Sequence, residues 1–311
     1  MDDRTPKVAA GRAAGIEAPA KPQGNPVFAA LWMLGALTSF ATMAVAGREI
    51  STELDAFQLM FYRSIIGVVI VLAIGAMIPG GLRGFGTNRI GLHLVRNSVH
   101  FLGQFCWFLA IALISLAEVF AIEFTTPIWV AVLAPLLLGE RLTRGRVIAV
   151  ALGFVGVLII LRPGSNDFGI GHIAMLIGAV GFGMTMIATK RLSATERPLT
   201  ILFWMAVMQA PMGFLGAFGD VPWPSLQTGL WLVAVGVCGL TAHFSIAQAF
   251  RWADATVVAP MDFLRLPLIA LVGMTFYAEP LDPFVFLGGA VVLAGNWLNI
   301  RFEKKKTQRA G

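Results

Sequence analysis

Residues Glu123–Leu142 read EFTTPIWVAVLAPLLLGERL, an apolar run long enough to cross a bilayer that opens on a carboxylate and contains Pro127. Residues Asp262–Leu281 read DFLRLPLIALVGMTFYAEPL and nearly repeat it, with a proline at Pro267. The two segments lie 139 positions apart and align without a gap. The aligned positions share an acidic residue, a phenylalanine, an alanine, a glutamate and a leucine. An internal repeat of this kind predicts two copies of one membrane unit.

The composition of the chain is that of a membrane protein. Of its 311 residues 57% are hydrophobic and 13% are charged, with a mean hydropathy of +0.79, whereas soluble domains average about 25% charged residues. The net charge of +6 does not indicate nucleic-acid binding, because the basic residues are scattered between apolar runs. Such scattering is the pattern that sets membrane topology.

Ten apolar runs of spanning length follow one another with short connections, since about 20 residues cross a hydrocarbon core. A transmembrane barrel is excluded because these runs are apolar on every side rather than alternating. We therefore expect an all-α polytopic membrane protein with ten transmembrane helices. Their approximate limits are Val27–Ala46, Ala56–Met77, Val95–Ile114, Ala117–Leu138, Val147–Leu161, Gly171–Thr189, Leu199–Phe218, Leu230–Phe250, Val257–Tyr277 and Pro283–Ile300.

The basic residues predict how the chain is threaded. With the N-terminus inside, nineteen of the 23 lysines and arginines fall in inner segments, against Arg48 and Arg162 outside. This bias places both termini in the cytoplasm, with the chain multi-pass in the inner membrane. Five spans per copy is an odd number, so the second copy must enter the membrane upside down. The first spans of the two copies also match at an offset of 143, where Gly35 coincides with Gly178.

The repeat divides the chain into four parts. Residues 1–26 lack the apolar core of a cleavable signal peptide, and we expect a disordered cytoplasmic tail there. Residues 27–162 form the first five-helix repeat and residues 163–302 the second, in inverted topology. Residues 303–311 form a basic cytoplasmic tail. Inverted repeats place a binding site near the midplane, between the halves, and let each half close one side.

The repeated motifs resemble the EamA unit of the drug/metabolite transporter superfamily. The resemblance covers nearly all of residues 27–302. The first copy carries it in Pro127, Gly139-Glu140 and the run GFVGVLII that begins at Gly153; the second in Pro267, Ala278-Glu279, Gly288-Gly289 and Gly295. The second copy departs from the pattern at Ala278, and Met205 stands where a partner for Arg63 would be, so the halves are not equivalent.

The resemblance implies a function. Members of this family mostly export amino acids and other small metabolites, through a central cavity lined by helices one, three, four, six, eight and nine. We therefore expect a secondary transporter that exports amino acids or similar small metabolites across the cytoplasmic membrane by alternating access. The alternatives are a channel or facilitator for small solutes, or an exporter of drug-like or nucleotide-type compounds. The expected partners are a small-molecule substrate and the lipid bilayer, with proton coupling left open, and we expect a monomer without cofactor.

Catalytic functions find no support in the sequence. It contains no HExxH, no GxSxG and no glycine-rich phosphate loop followed by Lys-Ser/Thr, so we expect no enzyme. No two histidines have ligand spacing with a cysteine or a carboxylate, which argues against a metal site. A channel would need a continuous polar lining, which the kinked inverted repeat does not favour.

Charged residues inside spans are the first candidates for a substrate site, because each costs several kcal/mol unless it faces a cavity or a partner. Arg265 lies roughly 12 Å from the inner surface at about 1.5 Å per residue, near the midplane. Asp262 lies one turn earlier, and Glu123 is its mate in the other copy. Two interpretations stay open: an internal Asp262–Arg265 ion pair, and a guanidinium that holds a substrate carboxylate.

Further polar and aromatic residues join the candidate set, each with a structural alternative. Gln104 and His243 occupy equivalent positions in the two copies. We expect them either to line the cavity or to form interhelical hydrogen bonds. For Arg63 we expect helix packing or a pairing with Glu118 or Glu123 rather than substrate binding. For Glu140 and Glu279 we expect a structural role, in capping or anchoring the next helix. The remaining candidates are the aromatic residues Phe40, Trp107, Phe124, Phe182 and Phe263, as pocket walls or packing, and the prolines Pro127 and Pro267, as kinks and gate hinges.

Overall fold

The computed structural model describes residues 25–77, 82–138, 144–162, 168–253, 258 and 261–310. Within these ranges all regular structure is helical, which confirms the all-α class. The expected N-terminal tail lies almost wholly outside them, as does Glu140. The helices are α1 (Pro26–Ile50), α2 (Ala56–Met77), a 3-10 turn (Leu82–Phe85), α3 (Ile90–Leu113), α4 (Leu116–Glu123), α5 (Thr126–Leu138), α6 (Arg144–Leu161), α7 (Ile170–Leu192), α8 (Pro198–Gly216), α9 (Leu226–Trp252), α10 (Arg265–Tyr277) and α11 (Pro283–Ala310).

Seven segments in the described ranges are long and apolar enough to cross a membrane: α1, α2, α4 with α5, α7, α8, α9 and α11. Two shorter apolar helices, in α6 and α10, accompany them. Helix α3 has 24 residues but carries polar side chains, among them Arg96 and His100, along its length. The prediction of a polytopic membrane protein is confirmed, while the count of ten transmembrane helices stays a prediction.

The fourth expected span is broken rather than kinked. Helix α4 ends at Glu123, Phe124 and Thr125 form a turn, and α5 begins at Thr126. The N–H of Thr125 donates to the carbonyl of Ile122 at 3.0 Å, which tightens the turn. Pro127 is the second residue of α5, where a helix needs no backbone N–H donor. The expected proline kink is therefore a helix start.

The ninth expected span is broken in the same way. Asp262 is helical, Phe263 and Leu264 form a turn, and α10 begins at Arg265. Pro267 is the third residue of α10, again in the first turn. In both repeated segments the turn therefore begins at the phenylalanine that follows the acidic residue. This phenylalanine stands three residues before the proline in the first copy and four before it in the second.

The helices pack mainly across the two halves of the chain. Helix α1 packs along α9, α3 along α7, α2 along α8 and α6 along α11. Glycines bring some of these backbones together: a Cβ atom added to Gly156 of α6 would lie 2.7 Å from the carbonyl oxygen of Gly288 of α11. The reciprocal distance, from a Cβ on Gly288 to the Gly156 oxygen, is 2.6 Å. No side chain fits between α6 and α11 at this crossing.

Glu279 joins three helices from both halves. It follows α10 and its carboxylate accepts the N–H of Leu116, the first residue of α4, at 2.9 Å. Its other oxygen lies 3.1 Å from Nη1 of Arg48, near the end of α1. A carboxylate at a helix N-terminus meets its unpaired N–H groups and the positive end of its dipole. Glu279 therefore caps a helix as expected, but that helix is α4 of the other half and not the next helix along the chain.

The α6–α11 crossing yields a prediction about stability. Gly156→Ala should lower the free energy of unfolding by about 1–3 kcal/mol, because the added methyl group collides with Gly288 and Val292. Gly229→Ala in α9 is the matched control, since nothing lies within 4 Å of its added Cβ. Thermal unfolding of the detergent-purified variants measures both. Equal stability of the two variants would contradict the close crossing.

Candidate functional site

A cluster of three charges forms where the two broken segments meet. Nη1 of Arg265 lies 3.2 Å from Oε1 of Glu123, and Nη2 lies 3.4 Å from Oδ2 of Asp262. Only 6% of the Arg265 side chain is exposed, against 16% for Glu123 and 28% for Asp262. The expected Asp262–Arg265 pair is present, and Glu123 extends it across the two halves. We call these three residues the charge cluster.

The helix breaks explain why the charges need one another. Glu123 is the last residue of α4, at the negative end of that helix, and Arg265 is the first residue of α10, at the positive end. Each charge is therefore disfavoured by its own helix dipole. Pairing them offsets this cost, and so the sequence positions that break the two helices also bring the cluster together.

Aromatic rings enclose the cluster. The guanidinium carbon of Arg265 lies 4.5 Å from the ring centroid of Phe40, 5.0 Å from that of Phe120 and 4.9 Å from that of Phe124. Cation–π contacts of this kind strengthen when they are shielded from water. Trp107 donates its indole N–H to Oε2 of Glu123 at 2.7 Å.

The aromatic enclosure continues through two ring pairs. The ring of Phe124 lies 5.2 Å from that of Phe263, and the ring of Phe40 lies 5.8 Å from the imidazole of His243. Four of the five aromatic residues proposed from the sequence thus surround the charge cluster directly or through one ring, and Phe120 joins them. Phe182 is the fifth: it packs against Gly103 and lies 6.2 Å from the ring of His100, on the α3–α7 contact.

Two buried polar atoms of the cluster lack a hydrogen-bond partner among the described residues: Nε of Arg265 and Oδ1 of Asp262. Oε1 of Gln104, in α3, is also buried and without a partner there. A buried polar atom without a partner costs about 1–3 kcal/mol. Such atoms are the groups that a polar solute would satisfy on binding.

Gln104 and His243 make no hydrogen bond with another side chain in the part of the chain that the structure describes. The interhelical bonds considered for them are therefore not found there. His243 is an exposed residue of α9, and its imidazole contacts the ring of Phe40.

The expected pairing of Arg63 with an acidic residue is wrong. Glu118 accepts hydrogen bonds from Ser115 and lies 3.2 Å from Nε2 of His172, while Glu123 is taken by Arg265. Arg63 instead directs Nη1 at the sulfur of Met60, at 3.8 Å. Glu118 is held by the capping box of α4, which the S-x-x-E spacing from Ser115 indicates, whereas Glu123 is positioned by the helix break, which spacing does not show.

Arg96 is the main polar residue whose burial the sequence did not predict. It was counted with an inner segment, at the edge of the expected third span, Val95–Ile114. Helix α3 begins six residues before it, at Ile90, and Arg96 is only 7% exposed. It donates to Oδ1 of Asn97 at 2.8 Å and to Oγ1 of Thr189 at 3.3 Å. The polar run RNSVH from Arg96 to His100 hid the start of the helix, although its arginine and histidine lie one turn apart.

The charge cluster yields a prediction about folding. Arg265→Gln should lower the free energy of unfolding by about 2–4 kcal/mol, because it leaves two partly buried carboxylates without a cation. Changing all three residues, with Glu123→Gln and Asp262→Asn added, should recover most of this loss, since no uncompensated charge remains. Thermal unfolding in detergent compares the single and triple variants. A triple variant as unstable as the single one would show that charge pairing is not what Arg265 supplies.

Comparison with known proteins identifies the family. The model of the EamA-like transporter family matches residues 27–162 and again residues 169–301. The riboflavin transporter of Rhizobium johnstonii is 28% identical over 286 residues, which cover 91% of this chain and 94% of that protein. The riboflavin transporter of Vibrio cholerae is 28% identical over 290 residues, with 92% and 97% covered.

Further similarities extend over the same length. The S-adenosylmethionine uptake transporter of Rickettsia bellii is 26% identical over 274 residues, which cover 88% of this chain and 94% of that protein. A solved crystal structure, 19% identical, covers 88% of this chain and 98% of its own with a TM-score of 0.60, so it shares the fold. Because the family model matches almost the whole of both halves, the chain belongs to the EamA-like transporter family and is a membrane transporter, not an enzyme.

Proposed function

We propose that this chain is a secondary transporter for small metabolites that carry an amino-acid group, working by alternating access in the cytoplasmic membrane. The observation that carries the proposal is the charge cluster itself. It presents carboxylates and a guanidinium together, at the breaks of both repeated segments and among aromatic rings. An amino-acid group offers the complementary ammonium and carboxylate in one small unit, and charge-assisted hydrogen bonds are the strong ones.

The relatives' names suggest what the rest of the solute looks like. S-adenosylmethionine carries an amino-acid group and a flat ring, and riboflavin carries a flat ring without an amino-acid group. The rings of Phe40, Phe124 and Phe263 offer surfaces for stacking such a ring. A flavin-like solute is therefore the second candidate. Export of amino acids stays a prediction, and the Rickettsia relative is named for uptake.

Symmetry in the packing supports alternating access. If the halves are two copies in sequence, α1 corresponds to α7 and α3 to α9. Exchanging the two halves turns the α1–α9 contact into an α7–α3 contact, and both contacts are present. The same exchange replaces α2 by α8 and α6 by α11, so the α2–α8 and α6–α11 contacts are each unchanged by it. Ten helices in two inverted repeats fit this pattern, and such repeats let each half gate one side of a shared site.

Cytoplasmic termini remain part of the proposal. Moving Arg96 from the inner loops into α3 leaves eighteen inner basic residues of the original nineteen, still against Arg48 and Arg162 outside. A bias of this size favours the same orientation.

The balance of charge supports proton coupling. Two carboxylates face one guanidinium in the cluster, so one negative charge is left over when both acids are ionised. Either a proton or the ammonium group of a solute can neutralise it, and the two compete for the same oxygens. A carrier in which proton and solute exclude each other exchanges one for the other across the membrane.

The substrate class is tested by transport into liposomes that hold the purified protein. Labelled phenylalanine and S-adenosylmethionine should enter with saturation, and the same unlabelled solute inside should accelerate their entry. Labelled riboflavin is the third arm. Entry of riboflavin alone would overturn the amino-acid class in favour of the second candidate. Unitary currents without saturation would indicate a channel.

Proton coupling is tested by Glu123→Gln. The variant keeps the size of the side chain but removes the excess charge for which proton and ammonium compete, so solute exchange should be weaker and the exchange that remains should no longer respond to a pH gradient. Asp220→Asn, in the exposed connection between α8 and α9, is the control and should respond as the unchanged protein does. A full pH response in Glu123→Gln would remove Glu123 from the coupling.

A further inference from the structure

The two carboxylates of the charge cluster have unequal sets of partners. Both oxygens of Glu123 are engaged: Oε1 lies 3.2 Å from Nη1 of Arg265, and Oε2 accepts the indole N–H of Trp107 at 2.7 Å. Asp262 offers only Oδ2 to Arg265, at 3.4 Å, while its Oδ1 is buried and has no partner among the described residues. The carboxylate oxygen of the cluster that still lacks a donor there therefore belongs to Asp262.

The repeat explains why the two acids differ. Trp107 of α3 stands 139 positions before Ile246 of α9, and the same offset relates Glu123 to Asp262. The first copy thus supplies an indole N–H at a position where the second copy supplies an aliphatic side chain without a donor. Equivalent positions in the two copies hold the acids, but only Glu123 receives a donor from the third helix of its own copy.

The indole of Trp107 is held firmly in place. Its side chain is 3% exposed, and its ring meets that of Phe120 edge-on with the centroids 6.0 Å apart. The ring of Phe120 in turn lies 5.0 Å from the guanidinium carbon of Arg265. A further cation at Glu123 would have to share an oxygen with one of two fixed donors or displace it, whereas Oδ1 of Asp262 needs no such exchange.

Arg265 has an unmet group beside the same pair. Its side chain is 6% exposed, and its Nε has no partner among the described residues. Nε belongs to the guanidinium whose Nη2 pairs with Oδ2 of Asp262. The Asp262–Arg265 pair thus carries one free acceptor and one free donor, and buried polar atoms of this kind are normally completed by a partner. A solute with an ammonium group next to an oxygen would complete both.

Asp262 is also the more accessible acid of the cluster. Its side chain is 28% exposed, against 16% for Glu123. The helices packed most closely on α10 are α4 and α1, and their other charged groups are engaged away from the cluster. The engaged pairs are Glu118 with His172, Arg48 with Glu279 and Glu49 with Tyr277, and from α9 the imidazole of His243 contacts Phe40.

We propose that Oδ1 of Asp262 is the atom that receives the exchanged cation, either a proton or the ammonium group of the solute, and that Trp107 is a positioning residue that keeps Glu123 out of this exchange. The ammonium half rests on the proposed function, whereas the proton half does not need it. Glu123 still contributes its charge, because without it Asp262 would have the guanidinium to itself and no negative charge would be left over. Glu123→Gln therefore removes the pH response although Asp262 carries the proton.

Carbodiimide labelling of the detergent-purified protein locates the proton. Dicyclohexylcarbodiimide adds the O–H of a neutral carboxylic acid across one of its C=N bonds, so it marks the acid that holds the proton. Mass spectrometry of the peptides separates Asp262 from Glu123. Labelling of Asp262 should increase as the pH falls, and Glu123 should stay unlabelled.

Trp107→Phe tests the positioning role. The variant keeps an aromatic ring but loses the indole N–H, which frees Oε2 of Glu123, so both acids should be labelled. Trp129→Phe in α5 is the matched control, since Nε1 of Trp129 donates to no acceptor among the described residues. This control should be labelled at Asp262 and not at Glu123, as the unchanged protein is. The same pattern in Trp107→Phe would show that Trp107 only packs, and would overturn its role.

Protection by solutes tests the ammonium group. Phenylalanine should slow the labelling of Asp262 several-fold, because its ammonium group occupies Oδ1. N-acetylphenylalanine keeps the ring and the carboxylate but lacks the ammonium group, so it should not slow the labelling. Equal labelling with and without phenylalanine would refute the proposed solute and leave Asp262 as the proton site.

Two results would overturn the assignment of Asp262. One is labelling of Glu123 ahead of Asp262 in the unchanged protein. The other is an Asp262 that stays unlabelled at every pH below neutral. Neither result depends on transport, which uptake into liposomes measures separately, so failure of this site and failure of the proposed function are distinguishable.

Discussion

The guanidinium of Arg265 lies between a carboxylate of each half, and this pairing is the contact on which the centre of the molecule depends. A charge in a low-dielectric interior needs an opposite charge close by to compensate it. Here the compensating carboxylates lie at the ends of two broken helices, so the ion pairs form where the chain changes direction. The rings around Arg265 keep water away and make the contact stronger. The position of Arg265, its ion pairs and the breaks in the two helices therefore depend on one another.

Much of this arrangement could be predicted from the sequence. The repeat at 139 positions predicted that Glu123 and Asp262 are counterparts, and a charge eight residues into an apolar run predicted that Arg265 is internal. Helix α2 has the limits that its apolar run predicted. These features follow from hydrophobicity and residue spacing, which can be seen in the sequence and do not depend on which helices pack together.

Other features could not be predicted, because they depend on which helices touch. Spacing alone does not separate a kinked helix from a broken one, since proline is tolerated in the first turn and disruptive later. The burial of Arg96 was hidden because a polar turn at a helix start resembles a loop. Phe120 joins the charge cluster only because α4 ends one turn after it. Arg63 has no acidic partner because Glu118 and Glu123 are paired with other residues, and those pairings depend on how all the helices pack.

The crossing of α6 and α11 has a mechanical consequence. Backbone touches backbone at Gly156 and Gly288, with Val292 and Ile160 interlocked beside them, so one helix cannot slide along the other without lifting over a side chain. Close-packed elements move as rigid bodies about their tightest contact. The glycine crossing thus holds α6 and α11 together as one unit, and any motion between the two halves would be largest at the helices farthest from it.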